Sequence, residues 1–280
     1  MRTLAFHQVD VFGDLPLKGN ALAVVVDADE LSDTAMASLA KWTNLSETTF
    51  LLKPTLPGAD YRVRIFTPAT ELSFAGHPTL GSCQVWLNSR GKANQSRIVQ
   101  ECEVGLVQIK RDGERLAFAA PPLRRSGEVD RSTMQAIVNA LRIRPETIKA
   151  AQWVDNGPGW VAVMLSSRAE VLALKPDYAA LPDEILLGVV APWDVARDGR
   201  EAQFEVRTFM PRLAAEDPVT GGFNAGLAQW LTSAGLAPNT YIASQGTVLD
   251  RAGRVYVERE GDNVWIGGKI FTCIQGTLNI

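Results

Sequence analysis

The chain has 280 residues, of which 46% are hydrophobic and 21% charged, with a formal net charge of −3. That length can bury the core of one large domain or two ordinary ones. The charges are nearly balanced and the sequence shows no basic stripe, which argues against a nucleic-acid or anionic-membrane partner. No apolar stretch approaches the roughly 18 residues of a membrane helix. The 3 cysteines are odd in number and widely spaced, which predicts a reducing, cytoplasmic setting and no disulfide framework.

The first part of the sequence alternates between predicted strands and helices. Ser32 is the expected N-cap of the first helix, and Pro78 lies near the first turn of the second. The predicted elements are strands at 3–11, 21–28, 47–53 and 61–68, helices at 31–44 and 77–91, and three strands within 96–122 joined by tight turns.

Pro121 and Pro122 indicate a boundary, after which the same kinds of element recur. The turn "NGPGW" and a glycine-rich loop at 221–222 are the main breaks in this part. The predicted elements are helices at 131–143, 167–176 and 221–235, strands at 160–165, 185–191 and 204–211, and a strand-rich end at 241–280.

Two stretches of the chain resemble each other. "VRIFTP", two glycines and a Trp-Leu pair in the first recur as "VRTFMP", two glycines and Trp-Leu in the second, 143–145 residues later. Such a repeat predicts two halves of one architecture, although two unrelated strand–loop–helix units could match by chance. A helix that starts at glycines offers backbone N–H groups to an anion, so the two loops could hold a carboxylate.

The sequence lacks the motifs that several common kinds of catalytic and binding site require. The 2 histidines and 3 scattered cysteines do not form a zinc-type cluster, so no metal is expected. The sequence has no GxGxxG after a strand, no GxxxxGK[ST] and no GxSxG elbow. What remains is acid–base chemistry by carboxylates and one loop histidine.

Glu47, His77 and Asp217 form a plausible set for moving protons on carbon. Each also has a structural alternative. Glu47 could be an exposed glutamate at a strand edge, His77 a turn residue, and Asp217 the start of an Asx turn before Pro218. His7, within an alternating strand, is expected to be structural.

Several motifs resemble the PhzF-like phenazine biosynthesis family along most of the chain. They are "DVFGDLPLKGNALAVVVDADEL", "NLSETTFLL", "VRIFTPATELSFAGHPTLG", "NGPGWVAV", "EDPVTG" and the closing "WIGGKIFTCIQGTLNI". The resemblance implies the α+β, diaminopimelate epimerase-like fold. That fold has two similar halves, each a curled, mostly antiparallel sheet around a central helix. The expected halves are 1–121 with 270–280, and 122–269, with the active site in the cleft between them.

The resemblance also implies an activity. Family members are cofactor-free, often homodimeric isomerases of small carboxylates. The best-known one isomerises trans-2,3-dihydro-3-hydroxyanthranilate. The family's glutamate, which takes a proton from a ring carbon, matches Glu47, and its histidine and aspartate match His77 and Asp217. Positions that line the family's site near the polar groups of the substrate match Ser46, Gly76 and Gly221.

One departure concerns the second glycine loop. The family usually has a serine where this chain has Gly222, and the next residue, Phe223, is expected to add bulk beside the site. Gly222 is therefore expected at the substrate, with backbone N–H groups in place of a hydroxyl. An amino-acid epimerase or racemase, and a non-catalytic carboxylate binder, stay open as alternatives to the isomerase.

Overall fold

The computed structural model describes residues 2–91 and 95–280. The chain divides into two compact units, residues 1–119 with 267–280, and residues 120–266. Both contain strands and helices, which confirms the α+β class. Across the described ranges, no helix is long and apolar enough to cross a membrane.

The first unit contains all seven strands predicted for residues 3–122, together with the short β5. Ser32 caps the first helix as predicted, with its hydroxyl accepting from the backbone N–H of Ala35. The elements are β1 (Thr3–Val11), β2 (Asn20–Val25), α1 (Asp33–Thr43), β3 (Glu47–Leu52), β4 (Tyr61–Phe66), β5 (Glu71–Leu72), α2 (Gly76–Ser89), β6 (Arg97–Cys102), β7 (Gly105–Asp112), β8 (Arg115–Ala119) and, from Gly267 onward, β17 (Asn263–Asn279).

The strands of this unit close into a barrel around α2. Their order is β17, β1, β2, β3, β4, β6, β7 and β8, with β8 pairing back to β17. The β2–β3 and β4–β6 pairs are parallel. α2 packs against six of these strands and is buried along most of its length. A helix that is apolar or small-sided on all faces belongs in such an interior.

The second unit contains the elements predicted after the double proline, together with strands that the sequence pattern did not indicate. These are β9 (Arg125–Gly127), α3 (Arg131–Leu141), β10 (Ala150–Asp155), β11 (Trp160–Met164), α4 (Arg168–Ala173), β12 (Leu186–Pro192), α5 (Val195–Asp198), β13 (Phe204–Met210), β14 (Ala215–Glu216), α6 (Gly221–Ser233), β15 (Thr240–Gln245) and β16 (Gly253–Glu260). Short 3-10 turns lie at Pro145–Thr147, Tyr178–Ala180, Pro211–Leu213 and Thr247–Leu249.

The sheet of the second unit repeats the connectivity of the first. The pairs β10–β11, β12–β13 and β15–β16 are antiparallel, while β11–β12 and β13–β15 are parallel. This is the pattern of the β1–β2–β3–β4–β6–β7 series. α6 packs against β10, β11 and β16 and is largely buried. The repeat in the sequence therefore reflects two similar halves, each a curled sheet around a central helix.

Equivalent side-chain contacts accompany the repeated strands. In the first unit Arg64 on β4 binds Glu71 on β5 through two hydrogen bonds of 2.7 Å. In the second unit Arg207 on β13 binds Glu216 on β14 in the same two-pronged way, at 2.9 and 2.7 Å. In each unit, this pair links the short strand that precedes the central helix to the neighbouring strand of the sheet.

Matched glycines allow each central helix to approach its first strand. A Cβ at Gly81 in α2 would lie 2.6 Å from a Leu22 methyl and 2.9 Å from a Val9 methyl. A Cβ at Gly226 in α6 would lie 2.2 Å from the carbonyl oxygen of Val154 in β10. A side chain can shift to relieve such an overlap, whereas a carbonyl within a sheet cannot.

Gly226→Ala is therefore expected to destabilise the protein by about 1–3 kcal/mol, the usual cost of overpacking. Gly222→Ala in the same helix is the matched control, because its Cβ would meet no heavy atom within 4 Å. The control should be neutral or stabilising by up to about 1 kcal/mol. Urea unfolding of both variants measures the difference, and equal stabilities would contradict the close approach.

Candidate active site

Glu47 is held at the start of an interior strand. α1 ends at Thr43, Asn44 takes a left-handed conformation, and the chain turns through Ser46 into β3. Glu47 opens β3, which lies between β2 and β4, and it pairs with Leu22. Its side chain is only 14% exposed. An exposed glutamate at a sheet edge is therefore the wrong description of Glu47, whereas Ser46 beside it is exposed.

His77 is the second residue of α2, directly after Gly76. It is a residue of the helix's first turn, so the alternative of a loop-turn histidine is wrong. Its side chain is 5% exposed, and its Nε2 lies 3.1 Å from Oε2 of Glu47. Two of the three residues predicted to be catalytic are therefore in contact within one unit.

Asn20, at the start of β2, holds the other side of the imidazole. Its Nδ2 lies 3.5 Å from Nδ1 of His77. Burial lowers the pKa of His77 from 6.5 to about 3, against an opposing hydrogen bond with the backbone of Ala21. At neutral pH the imidazole is uncharged, so its contact with Glu47 is a contact with a neutral group and not an ion pair.

This burial predicts a pH effect on stability. The folded pKa of His77 is lowered from 6.5 to about 3, so between those values the unfolded chain binds a proton that the folded protein does not. Stability is therefore lost as pH falls through this window, by up to about 1.4 kcal/mol per pH unit. Between about pH 6 and about pH 5, the free energy of unfolding in urea should fall more for the wild type than for His77→Gln. A difference that stays constant would contradict a neutral His77.

Asp217 lies in the second unit, directly after β14. It is buried, at 7% exposure. Its Oδ2 accepts a hydrogen bond from the hydroxyl of Thr220, and its backbone carbonyl accepts one from Nε2 of Gln245 at 3.2 Å. A side chain of the same loop thus orients the carboxylate.

α6 begins at Gly221, and Gly222 follows in its first turn. The carbonyl of Gly222 accepts a hydrogen bond of 2.8 Å from the side chain of Asn156, at the start of the "NGPGW" turn. A Cβ at Gly222 would meet no heavy atom within 4 Å. The position that carries a serine in the resembling family is therefore open here.

The expectation that Phe223 adds bulk beside the site is wrong. Phe223 is fully buried, and its ring packs on Trp160 with the centroids 5.2 Å apart. A Cβ at Gly188 in β12 would lie 2.0 Å from the Phe223 ring. The ring therefore points into the core of the second unit, into a space that a glycine leaves for it.

Four residues that contact the candidate site residues or the first turn of α6 were not predicted from the sequence. Asn20 contacts His77, Asn156 holds the first turn of α6, and Thr220 and Gln245 contact Asp217. Gln245 did have a signal, because it stands 145 residues after Gln100, at the offset of the glycine pairs. Within the described ranges, no group of three or more His, Cys, Asp or Glu side chains could hold a metal ion.

The chain is similar to known proteins along nearly its whole length. A family model described as phenazine biosynthesis-like protein matches residues 9–276. Antisense-enhancing sequence 1 of Schizosaccharomyces pombe is 36% identical, over 97% of both chains. Trans-2,3-dihydro-3-hydroxyanthranilate isomerase of Pseudomonas aeruginosa is 34% identical, over 90% of this chain and 89% of that protein.

Solved structures show the same fold. A phenazine biosynthesis protein of the PhzF family from Enterococcus faecalis has a TM-score of 0.81 at 26% identity, over 100% of both chains. A hydroxyproline epimerase from Agrobacterium vitis has a TM-score of 0.58 at 13% identity, over 99% of this chain and 92% of that one, and shares the fold alone.

The duplicated sheet around two central helices is thus the architecture of a class that includes isomerases and epimerases. Within that class, the chain belongs to the phenazine biosynthesis-like family, as the resemblance predicted. Several relatives in this family are named isomerases, and the chain is an isomerase.

Proposed function

We propose that the protein is a cofactor-independent isomerase that moves a proton between two carbons of a small carboxylate-bearing substrate. The observation that carries the proposal is the buried contact of 3.1 Å between Nε2 of His77 and Oε2 of Glu47. A carboxylate that is mostly removed from water, beside a neutral imidazole, is an arrangement suited to taking and returning a proton.

Glu47 is the proposed base in this mechanism. It takes the proton from the donor carbon, and the same carboxyl group returns a proton at the acceptor carbon. Because the pKa of His77 is lowered to about 3, the imidazole stays neutral throughout and contacts Glu47 through its Nε2. Asp217 is the proposed third member of the catalytic set, as the titratable group that the second unit contributes.

The proposed substrate carries a carboxylate, for which backbone N–H groups are the natural ligands. α2 and α6 each begin at glycine, and neither Ala75 nor Thr220 caps its helix with a side chain. First-turn N–H groups at such a helix start favour an anion. We propose Ser46, Gly76, Gly221 and Gly222 as the substrate-lining positions. The named activity of the Pseudomonas aeruginosa relative makes cyclic dihydro-hydroxy amino acids the first substrate class to test.

The duplicated sequence argues against a pair of bases at equivalent positions of the two halves. Position 222 stands 145 residues after His77, at the offset of the glycine pairs, and carries a glycine. Strand pairing gives the counterpart of Glu47. Leu187 pairs with Phe209 in the second unit in the same way that Thr48 pairs with Phe66 in the first. The position equivalent to Glu47 is therefore Leu186. A racemase with matched bases on both halves would need titratable groups at these positions. Their absence supports an isomerase over an epimerase.

A deuterium-exchange screen tests the proposed function. Aromatic and cyclic amino and hydroxy acids, with trans-2,3-dihydro-3-hydroxyanthranilate among them, are incubated with the wild type in D2O. Mass spectrometry should find enzyme-dependent deuterium in the carbon skeleton of at least one compound, with a positional isomer as product. Binding without exchange across the panel would favour a non-catalytic carboxylate binder, and a product of inverted configuration would favour an epimerase.

We also propose a homodimer in a reducing cytoplasm. The support for the compartment is that Cys83, Cys102 and Cys273 are free thiols. The family resemblance supports the dimer. Size-exclusion chromatography with light scattering tests the oligomeric state, and a monomeric mass at micromolar concentration would contradict it.

A further inference from the structure

A hydrogen-bonded network in the second unit reaches the carboxylate of Asp217 through Thr220. It joins Thr208 on β13, Gln245 at the end of β15, and Thr220 and Asn224 at the start of α6. We propose that Thr220 is a positioning residue for Asp217, and that Gln245 and Thr208 hold the Thr220 hydroxyl where it donates to the carboxylate. This inference rests on the proposed function, since it takes Asp217 to be catalytic.

The first step is the orientation of the Gln245 amide. The side chain is fully buried. Its Oε1 accepts from the backbone N–H of Thr220 at 3.1 Å and from Nδ2 of Asn224 at 2.9 Å. Two donors on one side fix the oxygen there, because the flipped amide would place its own donors against them. Nε2 must therefore face the two threonine hydroxyls.

The second step is the direction of those hydroxyls. Nε2 of Gln245 lies 3.0 Å from Oγ1 of Thr208, 3.1 Å from Oγ1 of Thr220 and 3.2 Å from the backbone carbonyl of Asp217, so three acceptors share its two protons. The two hydroxyl oxygens lie 2.7 Å apart. An ionised carboxylate only accepts, so the single proton of the Thr220 hydroxyl goes to Oδ2 of Asp217, which lies 2.5 Å away. The Thr220 oxygen can then only accept from Thr208 and from Gln245.

The third step separates this role from a merely structural one. In the first unit Gln100 occupies the matching position, and its Nε2 donates to Oγ1 of Thr79 in α2 at 3.1 Å. Its Oε1 accepts from the hydroxyl of Tyr61 at 2.9 Å. A glutamine linking the strand to the central helix thus belongs to the fold of both units. The extension from Gln245 through a threonine hydroxyl to a carboxylate belongs to the second unit, which contains Asp217.

The consequence is a carboxylate held in one rotamer before substrate binds. Loss of the Thr220 hydroxyl would remove one contact that orients the carboxylate while leaving Asp217 in place. A catalytic group misplaced by about 1 Å can cost as much as about a hundredfold in rate. Substrate affinity depends on other groups and should change far less.

The test compares Thr220→Val with Thr220→Ser, using the panel compound that the wild type exchanges fastest. We expect Thr220→Val to lower kcat by about 10- to 100-fold with KM within about twofold, and Thr220→Ser to restore at least half of the wild-type kcat. Thr232→Val is the matched control. It removes another hydroxyl from α6, one that donates to Ala228 and accepts from Arg259, and it should leave kcat unchanged.

The Thr220→Val substitution repeated in an Asp217→Asn background separates the positioning role of Thr220 from the proposed catalytic role of Asp217. If Thr220 acts through Asp217, Thr220→Val should cause no further loss there. Wild-type kcat in Thr220→Val, failure of Thr220→Ser to restore it, or an equal loss in the Asp217→Asn background would overturn the positioning role. Full activity of Asp217→Asn alone would instead remove Asp217 from the proposed mechanism.

Discussion

Glu47→Gln is expected to lower kcat by about 10²- to 10⁴-fold, the usual contribution of a positioned general base. The amide has the shape of the carboxyl group but cannot take a proton from carbon. It can still contact Nε2 of His77, so the fold and KM should be preserved. Steady-state kinetics with the best compound of the exchange screen measures the loss, and thermal unfolding checks the fold.

Glu114→Gln is the matched control for this substitution. Glu114 lies in the turn between β7 and β8 with its side chain 87% exposed. Its removal should change neither kcat nor stability, because exposed ion pairs contribute little. Wild-type kcat in Glu47→Gln would show that another group takes the proton.

Arg207→Met is expected to lower the free energy of unfolding by about 3–5 kcal/mol. The Arg207 and Glu216 side chains are only 4% and 6% exposed. The guanidinium also donates to the carbonyls of Val171 and Leu174, at 3.0 and 2.8 Å. The substitution removes the guanidinium from a buried carboxylate and from the Leu174 carbonyl, and leaves the Val171 carbonyl with the N–H of Leu174, which costs more than the pair itself contributes.

The duplication supplies the control for Arg207→Met. Arg64 makes the equivalent pair with Glu71, but those side chains are 19% and 34% exposed, so water can replace the lost donor. Arg64→Met is expected to cost about 1 kcal/mol or less. Urea unfolding of both variants gives the comparison. Equal losses would show that burial does not govern the cost of breaking these pairs.

Much of the fold was predictable because its signals are local. Alternating β1, the Ser32 cap of α1 and the glycine starts of α2 and α6 each depend on neighbouring residues. The repeat predicted two similar halves, because matched strands need matched glycines where the central helices pack. β10 escaped prediction. Its "AAQWVD" has no clear alternation, and its strand character comes from pairing with β9 and β11.

The sequence indicated the candidate titratable residues but not the partners that contact them. Glu47 and His77 stand in short motifs, and the structure brings them into contact. Thr220 and Gln245 are 25 residues apart and meet only when β15 lies beside β13. Phe223 was misplaced because a sequence does not show which way a helix residue faces. Gly188, 35 residues earlier, provides the space that draws its ring inward.

The central claim is that Glu47 moves a proton between carbons, and the fate of the hydrogen on the donor carbon tests it most directly. The substrate found in the screen is prepared with deuterium at that carbon and converted in ordinary water. We predict that the wild-type product has lost deuterium from the donor carbon and carries hydrogen from solvent, or the transferred deuterium, at the acceptor carbon. Glu47→Gln should leave the label in place. A product that keeps its full deuterium at the donor carbon would contradict proton transfer at carbon.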